Sequence, residues 1–300
     1  MRSSYLHPVS TPALMLMTIA AGLSFMLSAR ESLAQPPMPA KELMSKVVAN
    51  EMEHPKSSRF CMWMDRVAKP NGSWTKQMIE TPDGIVARLV AVNDKPLTPE
   101  QRQAEESRLD RLLDPANMRK KTTQQRADDQ HSQRLIRALP AAFDYAYSGT
   151  ETTPAGHQIV KLSFSPDPSF VPPDYETQIY LGMKGQLWID TEAMRVARID
   201  GTLFKDVTLG WGIIGRLNKG GRLLLEQADV GNGHWDTTRL ELNFGGKILL
   251  VKRLQLQEAV TEWDFHPVPK MSVREAIETL RRSADKLAST STEPRYADPQ

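Results

Sequence analysis

From about residue 195 to residue 262 the chain alternates apolar and polar residues through one extended stretch after another, and nothing else in the sequence constrains its fold as much. Ala197, Ile199 and Leu203 oppose Arg198, Asp200 and Thr202. Thr238, Leu240, Leu242 and Phe244 oppose Arg239, Glu241 and Asn243. Leu250, Leu254 and Leu256 oppose Val251, Arg253, Gln255 and Gln257. A period of two places one residue set on each face of a strand. One dry face and one wet face belong to antiparallel sheets, because parallel strands are covered on both faces and read as continuous apolar runs. The strands expected here are Gly185–Asp190, Arg195–Asp206, Arg222–Val230, Trp235–Phe244 and Ile248–Glu262.

The same reading extends upstream. Arg59–Ala68, Ser73–Glu80 and Ile85–Val92 form a meander, separated by the turn signals Pro70-Asn71-Gly72 and Thr81-Pro82-Asp83-Gly84. Phe143–Thr150 and His157–Phe164 follow as further strands, and Tyr175–Leu181 is expected as a short edge strand after a proline-rich loop. Between the two strand groups the period changes. Thr98-Pro99-Glu100-Gln101 is a capping box with proline at the first helical position. It opens a helix to about Leu113, and Asp114-Pro115 starts a second one that Pro140 is expected to stop. Ala40–Glu53 is expected as an N-terminal helix. A second capping box, Ser272 to Glu275, opens an amphipathic helix over about 271–288, ahead of a polar tail expected to be disordered over 289–300.

The expected class is therefore mainly β with helical insertions (α+β). About ten antiparallel strands with one apolar face need that face covered, by a second sheet, by closure or by helices. The insertion at about 98–139 can close over a curled sheet and leave an apolar cavity, or it can simply complete the core. Periodicity leaves both open.

Arg2 followed by the nearly uncharged run Pro12–Ala29, with Ser32-Leu33-Ala34 before Gln35, has the form of a secretory leader cleaved near Ala34. Residues 35–270 then make the main domain, exported to the periplasm. Charged residues are 25% and apolar residues 40%, with a formal net charge of +2, so no basic excess points to nucleic acid. Cys61 is the one cysteine, which rules out an intramolecular disulfide, and its apolar neighbours predict a buried, inert thiol.

Motifs of chemistry are few. Gly210-Trp211-Gly212-Ile213-Ile214-Gly215 matches G-x-G-x-x-G, but a dinucleotide site needs a helix next, and a strand is expected instead. His234 and Asp236 share one side of a strand with no third partner, and the histidines show no ligand spacing. Trp63, Trp188, Trp211, Trp235 and Trp263 are scattered across the strands as core or rim residues. The basic run Arg119-Lys120-Lys121 is expected as a solvated helix face. No enzyme activity, metal, cofactor or nucleotide is expected.

The segment Gly185-Gln186-Leu187-Trp188-Ile189-Asp190 through Arg195-Val196-Ala197-Arg198-Ile199 resembles the β-hairpin of LolA-like proteins, the periplasmic lipoprotein-sorting family. The order of elements over roughly Ala40 to Pro269 is similar too: helix, three strands, helical lid, long meander. The insertion is longer and more charged here, and Gly210–Gly221 and the C-terminal helix are additions. The resemblance implies a half-open antiparallel β-barrel covered by helices, holding a lipid or lipoprotein acyl chain. Leu203, Leu240, Leu242, Leu254 and Leu256 would line its cavity. Leu109, Leu112, Leu135, Ile136 and Leu139 would form its lid. The alternative within the same fold is an envelope interaction or sensor module that binds a protein partner through the helical insertion.

Overall fold

The computed structural model describes residues 38–53, 60–153, 156–210, 214–248 and 252–290, with the side chains of the last helix described as far as Ser283. The expected leader and residues 291–300 of the expected tail lie outside the described residues. The elements are α1 (Ala40–Glu53), β1 (Cys61–Lys69), β2 (Gly72–Thr81), β3 (Gly84–Val92), β4 (Lys95–Pro96), α2 (Pro99–Leu112), α3 (Pro115–Ala142), β5 (Phe143–Thr152) and β6 (Gln158–Pro166). A 3-10 helix (Thr177–Gly182) precedes β7 (Met183–Asp190), β8 (Arg195–Leu203), β9 (Val207–Leu209), β10 (Gly215–Leu217), β11 (Arg222–Asp229), β12 (Trp235–Ile248), β13 (Lys252–Pro267) and α4 (Val273–Thr290).

The strands form one 13-stranded antiparallel sheet in the order β4-β3-β2-β1-β13-β12-β11-β8-β7-β6-β5, with β10 bridging β12 and β9. The sheet is not closed. Its N-terminal meander joins the rest through β1 and β13, where Val67 lies opposite Val260. Gly246 lets β10 in beside β12: a Cβ there would sit 2.1 Å from the Arg216 carbonyl oxygen.

Helices cover both faces. On one face, α1 and the C-terminal half of α3 pack Met44, Val47, Ala138 and Ala142 against Leu162, Leu187 and Leu203. On the other, α2 and α4 pack Leu109, Leu112, Ala276, Ile277 and Leu280 against Ile79 and Val86. Ile79 pairs with Val86, and alternation puts both opposite the face that carries Trp74 and Val67. The second amphipathic helix, α4, thus docks on its own sheet. Both capping boxes form: Gln101 N–H donates to Thr98 Oγ at 3.2 Å, and Glu275 N–H to Ser272 Oγ at 3.3 Å.

Curling of the sheet follows from the length of α3. In its first half, Gln125 Oε1 accepts from Ile85 N–H of β3 at 3.3 Å. Near its end, the Leu139 carbonyl accepts from Tyr145 Oη of β5 at 2.7 Å. Those helix positions are about 21 Å apart at 1.5 Å per residue. The nine strand spacings from β3 to β5 would measure about 43 Å if laid flat. The sheet bends so that α3 spans its two ends as a chord, and the α1 side is the concave one.

Two local expectations are corrected. Tyr175–Leu181 is not a strand but the 3-10 helix, because Asp174 captures Thr177 N–H with its carboxylate at 2.8 Å and so offers the backbone a local turn. Helix α3 runs on past Pro140 to Ala142. Proline removes an N–H near a terminus that would leave carbonyls unpaired anyway, and the hydroxyls of Tyr145 and Tyr180 satisfy Leu139 and Leu135 there.

Candidate functional site

Cross-strand register assembles the main feature of the concave face. Tyr147 pairs with Leu162, Leu162 with Leu187, Leu187 with Ile199 and Ile199 with Leu225. Leu225 pairs with Leu240, Leu240 with Val260, Val260 with Val67, Val67 with Trp74 and Trp74 with Val92. Directly paired residues share a face, so this is one unbroken apolar row across ten strands. Its two parts differ. Leu162 and Leu187 are sealed beneath α1, at 0% and 2% exposure. Leu225, Leu240, Val260, Val67, Trp74 and Val92 are only partly covered. These six strands make a groove about 24 Å long at the usual strand spacing.

Polar pairs bound the groove. Glu258, one register step from Val260, is held by Lys69 at 3.0 Å. On the other side Asp65 lies opposite Lys76. Burial raises the Asp65 carboxyl above its ordinary value, against the lowering effect of Lys76. Above the groove runs the middle of α3, where no side chain between Met118 and Ala138 is fully buried. From Arg119 to Arg134 the helix carries no apolar residue larger than Ala127, and a helix polar on every side bridges solvent instead of closing a core. One side of it is tethered by Glu176, which meets Arg134 at 3.1 Å and His131.

The ten residues expected at the site divide. Leu203, Leu240, Leu242, Leu254 and Leu256 come to one face, and Leu135, Ile136 and Leu139 pack against the same cluster, except that Leu240 stands beyond its edge. Leu203 is fully buried, so it belongs to a filled core. Leu109 and Leu112 are not part of this lid. They belong to the separate cluster on the opposite face. An apolar helical stripe shows that a helix packs, not on which side of the sheet. The groove residues Leu225, Val260, Val67 and Trp74 were missed because cross-strand neighbours are set by register, which is non-local.

The insertion's charges serve the fold. The open edge of β3 would present bare backbone groups. Leu89 N–H donates to Glu105 Oε1 at 2.7 Å, the Ala87 carbonyl accepts from Arg108, and the Ile85 carbonyl accepts from Lys121. Burial first, then the charges of Arg108 and Lys76, lower the Lys121 ammonium to about 8. Lys121, expected on a solvated face, is thus an edge cap. Arg281 ties α4 to α2 through Glu106 at 2.6 Å and Asp110 at 2.8 Å, and Arg88 joins Glu106 at 3.0 Å.

Other candidate chemistry is sparse. His234 Nε2 stands 3.8 Å from Asp236 Oδ2, beyond hydrogen-bond range. Gly215 opens strand β10, where a dinucleotide fingerprint would need a helix; Trp211–Ile213 lie outside the described residues. Cys61 is buried. Among the described residues no group of three or more His, Cys, Asp or Glu could hold a metal ion, and no helix is long and apolar enough to cross a membrane.

The fold and groove define a class by geometry: an open, curled antiparallel sheet with helices on both faces and a partly covered apolar row on its concave side. No family model matches the chain, and no curated protein matches it. A solved structure, a DUF1329 family protein from Desulfovibrio piger, is similar over 78% of this chain and 95% of its own, at 10% sequence identity and a TM-score of 0.26. A similarity that distant carries no argument.

Proposed function

We propose that the protein holds an acyl chain, of a lipid or a lipoprotein, along the concave face of a half-open barrel of the LolA-like kind. The observation that carries this reading is the apolar row from Leu225 to Val92, left partly covered across six strands while Leu162 and Leu187 of the same row are sealed beneath α1. Folded chains bury such rows or use them. A flexible hydrocarbon chain matches a narrow groove of aliphatic side chains, gains from burial along its whole length and asks for no hydrogen bonds. The polar middle of α3 would serve as the cover, tethered at both ends. Export to the periplasm through the leader at Met1–Ala34 belongs to the same proposal. The alternative of a partner surface on the insertion is less favoured, because Glu105, Glu106, Arg108, Asp110 and Lys121 are already engaged within the fold. The test is uptake of a fluorescent fatty acid. Saturable binding that Leu240→Glu abolishes supports the groove, and undiminished binding in that variant refutes it.

A further inference from the structure

A second cavity, on the opposite side of the sheet, is built differently. It measures about 560 Å³, within the range of small-molecule sites. Four elements converge on it: the end of α2, the first turns of α3, the start of α4 and the β2–β3 turn. Leu112, Leu113, Met118 and Val273 give it an apolar floor. Arg119, Arg126 and Arg274 stand around that floor, with Asp83 as the carboxylate among the lining residues. Several arginines elsewhere close on carboxylates, Arg66 on Asp94, Arg88 on Glu106, Arg108 on Glu105, Arg198 on Glu226 and Arg281 on Asp110, although Arg111, Arg137 and Arg253 do not among the described residues. The side chains of the three arginines at the cavity make no ion pair or hydrogen bond among the described residues.

We infer that this cavity is a binding site for an amphiphilic anion, a phosphate or carboxylate head on an apolar body. The guanidinium groups supply planar, fixed-charge donors suited to an oxyanion. The leucine, methionine and valine floor takes the apolar part. Three cations against one carboxylate among the lining residues favour an anion. The two chemistries together separate it from a bare phosphate site, whose floor would be polar, and from the concave groove, whose row carries no charge. The site is distinct from the acyl-binding groove, since its floor residues Leu112, Leu113 and Val273 belong to the cluster on the opposite face, although α3 borders both.

Calorimetry with octyl phosphate tests it, with octanol and inorganic phosphate as the two halves of the probe. Octyl phosphate binds saturably, about tenfold or more tighter than either half. The triple variant R119Q/R126Q/R274Q, changed at exposed positions, weakens it about tenfold or more, and Val273→Trp, which fills the floor, does the same. Leu240→Glu, in the concave groove, leaves it unchanged. The inference is overturned by absent or non-saturable binding, by equal affinity for octanol or for inorganic phosphate, or by loss in Leu240→Glu with the arginine variant intact. Native protein that binds octyl phosphate but takes up no fatty acid would count against the concave groove alone.

Discussion

Leu203 and Leu240 stand on the same face of the sheet yet are placed to do different work. Leu203 is fully buried, and cutting it to alanine leaves a cavity that the core cannot collapse, costing about 3 kcal/mol. Leu240 is half-buried in the groove, so Leu240→Glu should leave the urea midpoint within the range of ordinary surface changes while abolishing fatty-acid uptake. Leu203→Ala should lower the midpoint and leave uptake in the folded protein unchanged. Equal effects of the two variants on both readouts would show that groove and core are not distinct. Lys121 makes a second residue-scale prediction. Its folded value of about 8 lies below the ordinary 10.5, so between those pH values the unfolded chain binds more protons and stability climbs as pH rises. Below about 8 the cost of the buried charge is present in full. The difference in urea midpoint between the native protein and Lys121→Met should therefore shift in favour of the native protein from pH 8 to pH 10.5. A flat difference would mean that Lys121 is not desolvated at the β3 edge.

The elements show where sequence patterns inform and where they fail. Helix α1 occupies the residues its spacing predicts, and both capping boxes form, because these signals are local. Thr98→Ala should cost about 1 kcal/mol, read from the thermal midpoint. One-sided alternation gave the antiparallel class and a shared face for Leu240, Leu242, Leu254 and Leu256. What it did not give was side and neighbour. Leu109 and Leu112 make the same stripe whether α2 lies on the concave or the opposite face, and only packing against Ile79 and α4 decides. Trp74 gained its importance from pairing with Val67 on a strand that register, not sequence, places beside it. The edge cap on β3 was hidden because Glu105, Arg108 and Lys121 look like solvent-facing residues until the strand edge meets them. Glu105 is 6% exposed, and Glu105→Ala would strand the Leu89 N–H at a cost of about 2 kcal/mol, whereas Glu105→Gln keeps an acceptor and should recover about half of that. A denaturation series in which the two substitutions are equally harmful would deny the hydrogen bond its part.

At the scale of the whole molecule, one sheet does two jobs by being covered unequally. Helix α1 seals Leu162 and Leu187 in the apolar row, α2 and α4 seal the opposite face near β2 and β3, and α3 crosses the remainder as a chord without filling it. The curl that makes the chord short also makes the row a groove. The length and polarity of the insertion belong to the same arrangement: polar enough to bridge water, long enough to reach from β3 to β5.

The most direct test is lipid extraction and mass spectrometry on protein purified without detergent, run beside Leu240→Glu. The account predicts acyl species near one per chain in the native protein and their loss in the variant, with both proteins equally folded. Native protein free of acyl species that also takes up no fatty acid, or acyl content unchanged by Leu240→Glu, would contradict it.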